Sequence, residues 1–477
     1  MSPWVARTAL VSATLLAAGC ASVPRDAGVG EVRKIVEERS GQRIAWDPAQ
    51  PIEPPADERL RPLLESELSV DRAVEIALAN NRDLLATLEG LGVARADLIA
   101  ASTVRNPVFD GELRFPGGPS NPFELAVTQT LVDLFQLSKR RALGQAAFEA
   151  ARLRVSGSVL GFAAEVRMNY YTLQAAQQVL GEQRTITAAA EASAGLARRQ
   201  HEAGNISDLD LENEQAVYER AKLDLARAEL DELQSRERLL ADLGAQQTLP
   251  LKLPVQAQPA AGDRERSLEE VEAAIPRRLD VSLAQAELEA ARRALPLARS
   301  SAYDALALGV HHDREADGQT STGPGVTLPI PLFDRGLAGR TRGAANLRMA
   351  EQRLYALTTT ARAEARAARE RLLEARARAD YLRDVVVPRR QRILYLTQLE
   401  YNTMLRGVFD LIRARQALSD ALREQVMAVR DYWLARTGLD TAMAGVTGFS
   451  ARPERPQMPR MDLLQPSSPP QRSKVNE

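Results

Sequence analysis

Apolar positions across residues 134–201 recur three and four apart. Val155, Val159, Phe162, Val166, Tyr170 and Leu173 form one stripe, the period of an amphipathic helix. No proline interrupts this run. Nearly seventy residues at 1.5 Å each predict a rod of about 105 Å, far longer than the roughly 10–14 residues of an ordinary helix. The plan occurs twice. Leu134 and Phe135 open the first rod, Leu332 and Phe333 the second, and Pro388 is expected to kink the second in its last quarter. Each rod ends in a tip, 204–210 (GNISDLD) and 404–410 (MLRGVFD), from which a shorter helix returns over 212–243 and 410–439. A short helix precedes each strand pair: 70–101, N-capped by Ser69, and 267–299, interrupted at Pro276 and Pro296. The short and return helices have the lengths to stack end to end beside the rod.

Between short helix and rod the period drops to two. Phe109, Gly111, Leu113 and Phe115 alternate with Asp110, Glu112 and Arg114. After the turn cluster 116–122 (PGGPSNP), Phe123, Leu125, Val127 and Leu131 alternate with Glu124, Ala126, Thr128 and Thr130. Strands are expected at 105–115 and 121–131, with counterparts at 301–314 and 325–332. Pro329 and Pro331 belong at the end of the last, because proline cannot donate to a ladder. Ten-residue strands with one apolar face suit a transmembrane barrel; a soluble hairpin packed on a core shows the same alternation. Four strands cannot close a barrel, since the smallest use about eight. Open edges in lipid leave backbone groups unpaired, so the membrane reading requires several chains. On it, Leu113, Leu125 and Val127 face lipid, and Asp110, Glu112 and Glu124 line the lumen.

The N-terminus adds an address. Arg7 and the brief apolar run after it end in 16–20 (LAAGC), which resembles a bacterial lipoprotein signal with Cys20 as the acylated residue. Ala21 resembles the residue that forwards lipoproteins to the outer membrane. Residues 1–19 thus read as signal, 20–65 as a lipidated, proline-rich tether with one short helix near 32–39, and 66–243 as the first repeat. A linker follows at 244–266, then the second repeat at 267–440 and a disordered tail at 441–477. No later run is long and apolar enough for a transmembrane helix.

Composition narrows the chemistry. Lys+Arg 62 against Asp+Glu 63 leaves no basic excess for nucleic acid. Aromatics at 4% and an abundance of Ala, Leu, Arg, Glu and Gln fit helical bundles. His311 and His312, as strand neighbours, point to opposite faces and cannot share a metal. His201 is expected as an exposed or dipole-stabilised residue at a helix end, and Met404 as a packing residue. No phosphate-cradling loop, nucleophile elbow or carboxylate pair is present, so no enzyme, cofactor or metal site is expected.

The doubled strand–strand–long-helix order and the two tips resemble the TolC-type outer-membrane efflux family over residues 66–440. The resemblance implies a mainly α chain with a small β part. Three copies would form a 12-stranded barrel continued by a periplasmic α-helical barrel. It also implies a periplasmic adaptor and an inner-membrane pump of the resistance-nodulation-division type as partners, with outer-membrane lipid around the barrel. Family tips carry Gly six residues before an acid: Gly204 and Asp210 match, while Asp410 matches with Met404 in the glycine's place. Asp208 belongs to the same tip. Tyr401, Arg406 and Asp210 match residues that in the family hold neighbouring helices closed, which implies a gate. Residues 401–412 (YNTMLRGVFDLI) and 31–43 (EVRKIVEERSGQR) look most like the heavy-metal branch, the cobalt–zinc–cadmium and copper–silver types. The alternatives are multidrug efflux, type I protein secretion and a non-transporting coiled-coil lipoprotein.

Overall fold

The computed structural model describes residues 28–42, 57–115, 122–255, 258–259, 264–300, 305–315, 317–330, 332–333 and 335–447. Cys20 and its signal, the turn cluster at 116–121 and the tail from 448 lie outside the described residues. Helices α1 (Val29–Ser40), α2 (Asp57–Leu64), α3 (Val70–Asn80) and α4 (Arg82–Ser102) lead into β1 (Val108–Leu113) and β2 (Phe123–Thr130). Helix α5 (Val132–Glu202) is the first rod and α6 (Asp208–Asp242) its return. The second repeat runs α7 (Leu268–Ala274), α8 (Leu279–Ser300), β3 (Ala307–Arg314), β4 (Thr320–Thr327), α9 (Leu337–Tyr381), α10 (Val387–Asn402) and α11 (Val408–Ala444). Among the described residues no helix is long and apolar enough to cross a membrane.

At 71 residues α5 extends about 106 Å. Its buried stripe, including Val159, Val166 and Leu173, meets Val74, Leu78, Leu84 and Leu88 from the short helices and Leu239, Leu240 and Leu243 from α6. The second rod instead buries Ala361, Ala365, Ala368, Leu372, Ala375 and Ala379, alternating four and three apart. That is a coiled-coil seam, and its alanines let helices approach closely.

Several boundaries differ from the expected ones. The helix over 70–101 is two helices, because Asn81 adopts an extended conformation, caps Leu84 N at 3.0 Å and donates to the carbonyls of Ala241 and Asp242. The end of α6 therefore abuts the break, and the short and return helices do stack end to end. Gly244 (φ +79°) makes this junction possible, since a Cβ there would lie 2.8 Å from the Asn80 carbonyl. The second repeat repeats the arrangement: a 3₁₀ turn at Ile275–Arg277, set by Pro276, faces Gly445 (φ +73°) at the end of α11. There the fully buried Arg278 pairs with Asp280 and Glu364 at 2.6 and 3.2 Å.

Pro296 does not interrupt its helix. It lies in the last two turns of α8, which continues to Ser300. Pro388 is accommodated by a π turn over Leu382–Val386, where the widened backbone absorbs the missing N–H. Helix α11 continues to Ala444, beyond the expected return, so the start of the expected tail is helical. The tether is partly folded: α1 buries Val29, Val32 and Val36, pairs Glu31 with Arg152 of α5, and sends Arg39 Nη2 to the Arg277 carbonyl at 2.9 Å. Its valines, spaced three and four apart, give it a face to dock.

The end of α6 holds a group that opposes folding at neutral pH. Burial pushes the Asp242 carboxyl up to about 6; Asn169 donates to it at 2.8 Å, and Glu165 raises it further. A raised carboxyl favours the fold fully below its unfolded value and loses that contribution as pH rises through about 6. Asp242→Asn keeps an acceptor for Asn169 and is expected to stabilise the chain at pH 7.5 by up to about 3 kcal/mol. The melting temperature should also lose its fall between pH 4 and 6.5. An unchanged melting profile would reject this.

Candidate functional site

The four strands form one antiparallel sheet in sequence order, β1-β2-β3-β4, with β1 and β4 as open edges. Val127 stands opposite Phe109 and Val310, Glu124 opposite Glu112 and Asp313, and Ala126 opposite Asp110 and His311. One face therefore carries Phe109, Leu113, Phe123, Leu125, Val127, Leu308, Val310, Pro324 and Val326. The other carries Asp110, Glu112, Glu124, Thr128, His311, Asp313 and Ser321 beside Gly309, Gly323 and Gly325. The sequence-predicted lipid and lumen residues thus fall on opposite faces. His311 and His312 separate likewise, His312 accepting or donating with Thr322 Oγ1 at 2.6 Å.

Among the described residues the apolar face packs on no core. Phe109, Leu113, Val310 and Val326 are each more than half exposed, which a soluble hairpin would not tolerate. On the polar face Arg114 donates to Glu112 at 2.8 Å and lies 3.6 Å from Glu124. Strand β4 lies five residues earlier than expected, because its prolines end pairing at Thr327; Pro324 is tolerated since β4 is an edge. The other strands are shorter than expected, β1 following Pro107 and β2 ending where Leu131 turns helical.

Where sheet meets rod, Asp133 is 2% exposed in the first turn of α5. Arg105 grips it with two hydrogen bonds of 2.6 and 2.8 Å, and Arg140 adds a third at 2.9 Å. Burial pushes this carboxyl up, but the arginines, Arg105 foremost, hold it below the usual carboxylate range. Sequence reading missed this centre. An acid opening a rod is a signal, but its partners lie seven and 28 residues away.

Both tips are built by the same backbone chemistry. Gly204 (φ +74°) ends α5 in a left-handed turn, with Gly204 N to His201 O and Asn205 N to Gln200 O both 2.8 Å. Met404 (φ +58°) occupies the equivalent position, with Met404 N to Tyr401 O at 3.0 Å and Leu405 N to Glu400 O at 2.8 Å. It is 93% exposed, so it is not the packing residue expected. The acid six residues on caps the next helix: Asp210 receives Ser207 Oγ at 2.7 Å, and Asp410 receives Gly407 N at 3.3 Å. Arg413, first, and the Gly407 N–H hold Asp410 below the ordinary carboxylate range. His201 lies in the last turn of its helix, with its Nε2 2.5 Å from Asp208 Oδ1 across the tip.

The structure does not bring Asp210 to Arg406 within one chain. Arg406 Nε binds Glu400 at 2.9 Å in its own hairpin, and Tyr401 stands partly exposed beside it. Met404→Gly removes a left-handed non-glycine residue, which costs about 1 kcal/mol. This substitution is expected to raise protection of the 400–407 amides from hydrogen exchange; faster exchange would show that the methionine stabilises the turn.

Among the described residues, an uncovered apolar face backed by a polar one and two unpaired sheet edges stand at the end of long helical hairpins. Residues 73–245 match the family model described as outer membrane efflux protein. The chain thus resembles outer membrane efflux proteins over its first repeat. It is similar to Protein CyaE of Bordetella pertussis, 27% identical over 423 residues and covering 82% of this chain and 85% of the relative. Solved structures with the same fold include two channel proteins. CusC, studied for folding and transmembrane channel formation, is 18% identical at a TM-score of 0.65 and covers 84% of this chain and 99% of its own. The Campylobacter jejuni CmeC outer membrane channel is 17% identical at 0.65, covering 87% and 93%.

Proposed function

We propose that three copies close a 12-stranded barrel in the outer membrane, with the rods forming a periplasmic duct. The carrying observation is the four-stranded sheet with an exposed apolar face and two open edges. The duct receives substrate from an inner-membrane pump of the resistance-nodulation-division type through a periplasmic adaptor, and Cys20 is its lipid anchor. The substrate class is heavy-metal cations, on the resemblance of 401–412 and 31–43 to that branch. The acidic sheet face carrying Asp110, Glu112, Glu124 and Asp313 also suits cations. Native mass spectrometry in mild detergent should give three chains; a stable monomer in lipid rejects the duct. A deletion strain should become sensitive to metals in a metal-and-drug panel. Sensitivity to drugs alone, or loss of a secreted protein, would assign the duct to those cargoes.

The tips gate this duct. In the ring Arg406 and Tyr401 meet Asp210 of the adjacent hairpin, a charge-assisted contact worth about 1 kcal/mol at a wet tip. Three such contacts hold the tips together, yet an adaptor can open them. Arg406→Ser with Tyr401→Phe should raise single-channel conductance several-fold, and unchanged conductance removes these residues from the gate.

A further inference from the structure

Helix α6 carries two seams. Ala221, Ala228 and Ser235, seven apart, are buried against α5. On the opposite side Leu209, Ala216, Leu223 and Leu230 also recur every seven residues, and Leu209, Leu223 and Leu230 are 69%, 59% and 52% exposed. A helix with a second heptad seam is patterned for a second neighbour. Within the chain the helices lie side by side as α6, α5, α11 and then α9–α10, so α6 and α9–α10 are the outermost. Tyr355 and Tyr381 stand out from the far side of α9, 77% and 61% exposed.

The outer helices differ in charge. Helix α6 holds eleven acidic against five basic side chains, whereas Leu337–Asn402 holds fourteen arginines against seven acids. Glu212, Glu229 and Asp231 on α6, and Arg362, Arg371, Arg389 and Arg390 on α9–α10, are exposed and form no ion pair among the described residues. The two hairpins stand at matching heights, because Arg423 Nη1 meets Gln183 Oε1 at 3.3 Å, each about twenty residues from its tip. The acidic and basic faces therefore overlap along the rod.

We infer that a second copy of this chain docks its basic α9–α10 face on the acidic outer seam of α6, so that complementary charge holds successive copies together. The inference rests on the ring proposed above and specifies its contacts. Leucines supply the buried stripe, and the charges beside it fix the direction of assembly. Pairing α6 with α6 would set acid on acid, so a two-fold dimer is disfavoured and head-to-tail closure favoured.

The test uses the full chain in mild detergent, with trimer dissociation followed by mass photometry at 50 and 500 mM NaCl. One variant carries Glu212→Lys, Glu229→Lys and Asp231→Lys; a second carries Arg371→Glu, Arg389→Glu and Arg390→Glu; a third combines all six. Circular dichroism checks that each keeps its helices. Each triple variant should dissociate at least tenfold more readily at 50 mM NaCl. The combined variant, with its signs exchanged, should return to within threefold of the parent, and the parent should weaken at 500 mM. A parent trimer indifferent to salt, or a combined variant no stronger than the weaker triple, overturns the inference and leaves the ring standing. A parent that is monomeric at both salts overturns ring and inference together. The salt response of the parent decides the matter even where a variant fails to fold.

Discussion

Replacing Asp133 with alanine is expected to destabilise the chain by about 3 kcal/mol, near the lower end of what breaking a buried ion pair costs. The carboxylate is 2% exposed and receives three hydrogen bonds from two arginines. Its removal leaves Arg140, whose side chain is 13% exposed, with the Ala100 carbonyl at 3.3 Å and no opposite charge, while Arg105 at 43% can turn to water. The penalty therefore falls mainly on one cation, and Asp133→Asn should cost less because an amide oxygen still accepts. Asp133 also stands in the first turn of α5, where the helix dipole favours a negative charge. The measurement is the urea midpoint of the detergent-solubilised protein with each variant. Equal loss for alanine and asparagine would mean that charge is essential, whereas no loss for either would show that the cluster only decorates the junction.

The second large effect concerns the sheet. Val127→Arg places a cation in the middle of the apolar face, between Phe109 and Val310, and should cost roughly 2–4 kcal/mol per chain near the bilayer midplane. Thr128→Arg, one residue on and facing the other way, should cost far less. The proposed ring of three chains would meet the first penalty three times, so the Val127 variant should fail to accumulate as trimer in outer-membrane fractions while the Thr128 variant accumulates. Equal accumulation would show that the apolar face does not meet lipid.

The rods and strands were legible because their signals are periodic. Val155 to Leu173 repeat at the helical spacing and Phe123 to Val127 at the strand spacing. What escaped depends on single residues or on the far side of a contact. Asn81 looks unremarkable inside a helical pattern, yet an asparagine followed by Arg82-Asp83 is an N-cap with an acid in the first turn. Pro276 and Pro296 look alike in sequence, but only the first falls where the chain must change direction. The tips were legible as a motif but not as a geometry. Glycine and acid mark the left-handed end of one helix and the cap of the next, and Met404 takes that left-handed turn without being a glycine. The proposed gate was legible only by resemblance, because within one chain Arg406 binds Glu400 and not Asp210.

The π turn at Leu382–Val386 sets the rotational phase of everything beyond it. A π turn is one residue inserted into an α-helix, and each residue of an α-helix turns the chain by about 100° and advances it about 1.5 Å. The inserted residue has thus already rotated α10 by more than a quarter turn relative to an unbroken continuation of α9. The compass bearing of Tyr401 and Arg406 at the tip is therefore fixed some twenty residues away, beside Pro388. Shortening the turn by a single residue would swing both side chains round the helix axis while moving them only a bond length along it. For this rod, aim is set by counting residues at one point in its wall, independently of any contact at the tip.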